Sequence, residues 1–127
     1  MQSEQREYVR FLAKNKAYVS LGSGFTRVGT IKDISLGGVS FEYIVIEDLA
    51  KEHMQHLDIF VSGNGFNLPN VPCSIVYDVS AGTPNSDYTL QTLIISKRCG
   101  VKFSEVTEEQ MLKLEFFLEN YTTGLAP

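Results

Sequence analysis

Two short groups of residues carry the chemistry that this 127-residue chain could perform. The first is Asp33-x-Ser35-x-x-Gly38. On an extended backbone Asp33 and Ser35 point to one face. Gly38 can adopt a positive φ or let another group approach the backbone closely. A carboxylate, a hydroxyl and bare backbone together can line a small-ligand pocket. The same residues can equally form a β-turn held by an Asx or Ser/Thr hydrogen bond. The second group is Arg6 and Arg10. At this spacing two side chains share one face of a helix, and an irregular segment can also close both on one ligand. Each guanidinium presents a planar fork of donors that suits phosphate oxygens and the O6/N7 edge of guanine. Two like charges four residues apart repel unless an anion joins them. The alternative is a solvated pair of surface arginines.

Other chemistries find less support. His53 and His56 lie beside Glu52 at a spacing that zinc sites use, but such sites need further ligands and no cysteine cluster supplies them. Cys73 and Cys99 fit none of the metal or redox spacings and read as reduced strand cysteines. Ser35 has no candidate His–Asp partners, and no G-x-S-x-G turn is present. Gly22-Ser23-Gly24 lacks the Gly-Lys-Ser/Thr ending of a phosphate-binding loop. The expectation is a binding module rather than an enzyme, with no catalytic residues, metal or cofactor.

Charge is unevenly placed. The net charge is −4, yet residues 1–32 hold six Lys/Arg against two Glu and residues 33–127 hold five against thirteen Asp/Glu. An acidic chain is a poor candidate for binding a nucleic acid polymer, which rests on many phosphate contacts. A basic N-terminal segment can still hold a compact anion, or be a solvated tail. With 43% hydrophobic residues the chain can bury a core, and its six Tyr and eight Phe suit a β-rich fold. No apolar run approaches the roughly 20 residues of a membrane span. The polar, charged N-terminus has no apolar signal region. The chain reads as a single cytoplasmic domain with no membrane insertion.

The elements that must position these groups follow from pattern. Residues 1–14, with basic and apolar residues interleaved, read as a mobile arm or short helix. Ala17–Leu21, Phe25–Ile34 and Val39–Val45 read as strands, the last two as a tight antiparallel pair. Residues 47–56 read as a helix or long loop with a weak apolar face at Leu49, His53, Met54 and Leu57. Leu57–Val61 is a short strand, and Ser62-Gly63-Asn64-Gly65 a hairpin turn. Pro69 and Pro72 predict an edge or a bend. Cys73–Val79, Tyr88–Ser96 and Cys99–Phe103 complete the strands, with a flexible loop over 80–87. Thr107-Glu108-Glu109-Gln110 is a capping box. It opens a helix to about Tyr121 that buries Met111, Leu114, Phe117, Leu118 and Tyr121, pairs Glu109 with Lys113, and stops at Gly124. About six short strands and one C-terminal helix predict an all-β core, a small antiparallel barrel or sandwich.

Arg6-x-x-x-Arg10, a spacer of 22 residues, then Asp33-x-Ser35-x-x-Gly38 resembles the two-part signature of the PilZ domain family, R-x-x-x-R followed by [DN]-x-S-x-x-G. The flanks resemble it too. Gly29 to Phe41 looks like the second and third strands of that family. Arg98-Cys99-Gly100-Val101-Lys102-Phe103 looks like the closing strand before its C-terminal helix. The resemblance spans residues 5–121, with the middle, 44–97, matching only as generic strands and loops.

This resemblance implies a barrel of about six antiparallel strands and a receptor for cyclic di-GMP. It implies that Arg6 and Arg10 clamp phosphates and guanine edges, and that Asp33 accepts from guanine N1–H and the amino group. Ser35 would contact a phosphate or base edge, and Gly38 would allow close backbone approach. Gln5, before the first motif arginine, points to a single ligand molecule. Gln91 and Arg98 could add contacts but read as exposed strand residues. The implied organisation is one PilZ-like domain over 1–127: an arginine arm (1–14), a barrel (15–105) and a helix (107–122). In the implied mechanism the arm closes over the ligand and changes the surface shown to an effector protein that controls motility, pili or biofilm polysaccharide. The chain would be a monomer or homodimer. An adaptor of the same fold that does not sense nucleotide is the alternative, although all five motif positions are present. A small RNA-binding barrel is disfavoured by the acidic balance.

Overall fold

The computed structural model describes residues 8–22, 27–45, 56–63, 65–80 and 95–127. In chain order the elements are β1 (Phe11–Ala13), β2 (Ala17–Leu21), β3 (Arg27–Ile34), β4 (Gly38–Val45), β5 (His56–Val61), β6 (Asn67–Ser80), β7 (Ile95–Phe103), α1 (Glu108–Asn120) and β8 (Thr122–Leu125). All strand pairings are antiparallel. The hydrogen-bonded order β2-β5-β6-β7-β4-β3 closes on itself because β2 also pairs with β3, which makes a six-strand barrel. Closure leaves these six strands without a free edge along the ring.

The core follows from alternation. On β2, Ala17, Val19 and Leu21 are buried; on β5, Leu57, Ile59 and Val61; on β4, Val39, Phe41 and Tyr43. Successive inward residues are two apart, as a pleated strand requires. Cys73 and Cys99 are both buried in this core. Burial raises the Cys73 thiol to about 11, so it stays protonated and unreactive at neutral pH.

Alternation breaks at two places that matter. On β3 the buried residues Gly29 and Ile31 alternate, but the next buried residue is Ile34, three further on. The register shift lies between Ile31 and Asp33, opposite Phe41 and Ser40, so Lys32 is the extra residue of a β-bulge. Strict alternation from Ile31 would aim Asp33 into the barrel; the bulge turns it towards the surface. On β6 the buried residues are Leu68, Val71 and Cys73, the first two also three apart. There Asn70 takes φ 56°, and its N–H donates to Asp58 Oδ1 at 2.9 Å. Pro69 and Pro72 therefore sit in a bulged strand inside the ring, a bend rather than an edge.

Helix α1 packs on the barrel with Leu114 and Phe117 fully buried, while Leu118 and Tyr121 pack partly buried against the core. The capping box forms: Thr107 Oγ1 accepts from the Gln110 N–H, and Gln110 Oε1 accepts from the Thr107 N–H, both at 3.0 Å. Gln110 also donates through Nε2 to the Pro69 and Asn70 carbonyls at 3.3 and 3.1 Å, which ties the helix start to the β6 bulge. Lys113, expected to pair with Glu109, instead donates to the Asn67 carbonyl at 3.2 Å.

Three expectations need correction. The helix ends at Asn120 with Tyr121 as its C-cap, as expected, but Gly124 is no helix stop: it lies in β8, opposite Leu12. Part of the expected N-terminal arm is strand, because β1 pairs with β3 on one side and β8 on the other. His56, placed at the end of a helix or loop, opens β5. The remainder of that segment with His53 and Met54, residues 81–87 of the expected loop, and residues 88–94 of the strand expected from Tyr88, Gln91 among them, lie outside the described residues; Ser80 ends β6, and Ile95 opens β7, which runs on through Lys97 and Arg98 to Phe103.

Candidate functional site

The turn between β3 and β4 is built from the Asp33–Gly38 group. The Ser35 N–H donates to the Gly38 carbonyl at 2.9 Å. Ser35 Oγ accepts from the Gly37 N–H at 3.0 Å, the Ser/Thr turn that favours serine here. That bond uses the hydroxyl as an acceptor and leaves its proton to give elsewhere. Gly37 and Gly38 are not among the positive-φ glycines. Their absent side chains serve close approach instead. A Cβ on Gly38 would collide with the Val101 carbonyl of β7, and one on Gly37 with the ring of Tyr8. The motif glycine thus has a packing role in the barrel as well as an implied ligand role.

Arg10 reaches this turn because the chain beside it is pinned. Its carbonyl accepts from the Ala126 N–H at 2.9 Å. The residues that follow pair Phe11 with Ile34 and Leu12 with Asp33. Arg10 Nη1 then lies 4.0 Å from Asp33 Oδ1. From the other side Arg98 Nη2 on β7 lies 3.7 Å from Asp33 Oδ2, and Arg98 Nη1 lies 3.9 Å from Glu42 Oε2. The Asp33 side chain is only 15% exposed against 42% for Arg10, so the carboxylate is the sheltered partner.

Four of the five expected residues, Arg10, Asp33, Ser35 and Gly38, line one cleft of about 490 Å³. Arg6 lies outside the described residues. The cleft also contains Tyr8, Tyr77 and Lys102, which were not singled out from the sequence as ligand contacts. Tyr8 falls between the two motif arginines, a positional signal. Tyr77 offered none, because its ring reaches the cleft through a pairing of β6 with β7 in which it stands opposite Gly100. A Cβ on Gly100 would strike that ring.

Arg10 and Asp33 also form the wall of a second groove, about 1060 Å³, on the side of Lys14, Lys16, Lys32 and Arg98. The arrangement can bind an anion through guanidinium forks, accept hydrogen bonds on a sheltered carboxylate and stack an aromatic plane on tyrosine. Among the described residues no cluster of His, Cys, Asp or Glu could hold a metal ion, and no helix is long and apolar enough to cross a membrane.

Comparison with known proteins agrees with this architecture. No curated protein sequence matches the chain. A solved PilZ domain of YcgR from Escherichia coli, determined with c-di-GMP, has the same fold, with a TM-score of 0.65 over 91% of each chain at 13% identity. The family model described as PilZ domain matches residues 4–120, leaving only β8 among the elements outside its span. The chain belongs to the PilZ domain family.

Proposed function

We propose that this domain is a cytoplasmic receptor for cyclic di-GMP, binding it in the cleft between the β3–β4 turn and Arg10. The observation that carries the reading is the convergence of Arg10, Asp33, Ser35 and Gly38 on that one cleft. A dianion with two guanines needs guanidinium forks for its phosphates, a carboxylate for the N1–H and amino group, and flat surface for its bases. Arg6 and Arg10 supply the forks, Asp33 the carboxylate, and the Ser35 hydroxyl a proton for a phosphate or base edge. The solved YcgR domain contains c-di-GMP, which makes the same ligand the first to test. With Gln5 before the motif, one ligand molecule is the expected stoichiometry.

The domain acts by binding. Because β1 is already strand-paired, the segment that closes over the ligand is the shorter stretch bearing Arg6, ahead of Arg10. Its closure changes the surface offered to an effector protein, with motility, pili or biofilm polysaccharide as the controlled output. Calorimetric titration of the full chain with cyclic di-GMP, GTP and a short RNA tests this. Saturable binding of cyclic di-GMP alone is expected; absence of that binding sinks the proposal.

A second reading is an adaptor of this fold that needs no nucleotide. It draws on exposed Leu112 and Phe116 of α1, the latter stacked near Phe66 at 6.2 Å between ring centroids. The same titration decides between the two.

A further inference from the structure

Asp33 faces a different guanidinium on each carboxylate oxygen, Arg10 at 4.0 Å and Arg98 at 3.7 Å. Both separations exceed the roughly 2.7–3.2 Å of an N–H···O hydrogen bond. The oxygens are therefore electrostatically held yet still open to donors from a ligand.

The two arginines are anchored differently. Arg10 stands just ahead of β1, with an exposed side chain. Arg98 stands in the middle of β7, opposite Glu42 of β4 and Val79 of β6. Its second terminal nitrogen lies 3.9 Å from Glu42. Its Nε–H is buried without a hydrogen-bond partner among the described residues. A guanidinium left with an unsatisfied buried N–H sits where other demands place it. Here those demands are the two carboxylates it bridges.

We propose that Arg98 is a positioning residue for the guanine-reading carboxylate. This role rests on the nucleotide reading above. Arg10 Nη1 is already 4.0 Å from Asp33, so an Arg10 fork that takes a ligand phosphate bidentately turns away from the carboxylate. When Arg10 turns to the phosphate, Arg98 stays on Asp33 as its counter-charge and keeps the carboxylate aimed into the cleft. Without Arg98, Asp33 retains Arg10, and the ligand competes with the protein for that guanidinium.

A double-mutant cycle read by calorimetry tests this, using cyclic di-GMP and the full chain with Arg98→Gln, Asp33→Asn and both. Arg98→Gln is expected to weaken binding about tenfold. In the Asp33→Asn background the same change is expected to cost nothing further, since there is no carboxylate left to position. Arg98→Lys, which keeps the charge, restores most of the affinity. An additive loss overturns the role, because Arg98 then acts on the ligand or on the fold independently of Asp33. Full affinity in Arg98→Gln overturns it too. If the unaltered chain binds no cyclic di-GMP, the nucleotide reading fails and takes this role with it.

Discussion

The two halves of the cleft are built by opposite means. The β3–β4 turn is local: Ser35 bonds Gly37 and Gly38 within the same few residues, and the flanking strands lie inside the closed ring. Arg10 is placed by contacts remote in sequence, through β1 on β3 and through the Ala126 N–H beyond β8. The local half has a shape that its own residues enforce. The remote half has a shape only when both neighbours are docked. On the proposed reading, a receptor assembled this way would have one rigid wall that reads and one attached wall that closes.

The sharpest way to break that contrast is Arg10→Ala. It would remove the proposed charge-assisted clamp and should weaken cyclic di-GMP about a hundredfold, within the range for a lost charge pair. The thermal midpoint should barely move, since the side chain is exposed and its ion pair long. Calorimetry beside a melting curve checks both. Asp33→Ala comes next, with a loss of roughly thirtyfold for the guanine ligand, the scale of hydrogen bonds to a charged group. An adenine analogue, if it binds measurably, should not weaken in parallel; an equal loss contradicts the base-reading role.

Effects on the rigid wall should appear in stability. Gly38→Ala drives a methyl into the Val101 carbonyl and should destabilise the barrel by about 1–3 kcal/mol, as overpacking does. Denaturant unfolding measures it. Ser35→Ala removes the acceptor for the Gly37 N–H and should cost about 1 kcal/mol. Its larger consequence for affinity than for stability would show that the hydroxyl proton reaches the ligand.

What was legible in the sequence was mostly what is local. The capping box at Thr107 and Gln110 forms because four consecutive residues satisfy one another. The helix face with Leu114 and Phe117 follows from helical spacing. The turn at Ser35 needed only its own residues. The Lys32 bulge was not legible, since Gly29-Thr30-Ile31-Lys32-Asp33-Ile34 reads as one uninterrupted strand. Only pairing with β4 shows an extra residue there. Strands β1 and β8 were missed because short segments of three and four residues carry no periodicity of their own. They are strands by virtue of each other and of β3. Tyr77 and Arg98 gained their places near Asp33 and Ser35 in the same way, from the register of β7 against its neighbours.

The seam between β1 and β8 joins the most sequence-distant strands among the described pairings, and it is short and interrupted by a register shift. Closing so long a loop carries an entropic cost that a few backbone bonds only partly offset. Such seams open well before the globally protected core. The barrel can then remain intact, its thiols buried and its rings packed, while Arg10 has lost the neighbour that sets its backbone. A melting temperature taken from the whole protein would overstate the temperature up to which the cleft keeps its shape, and amide exchange at Ala126 and Lys14, whose N–H groups donate to the Arg10 and Tyr121 carbonyls, is the thermometer that reads the cleft itself.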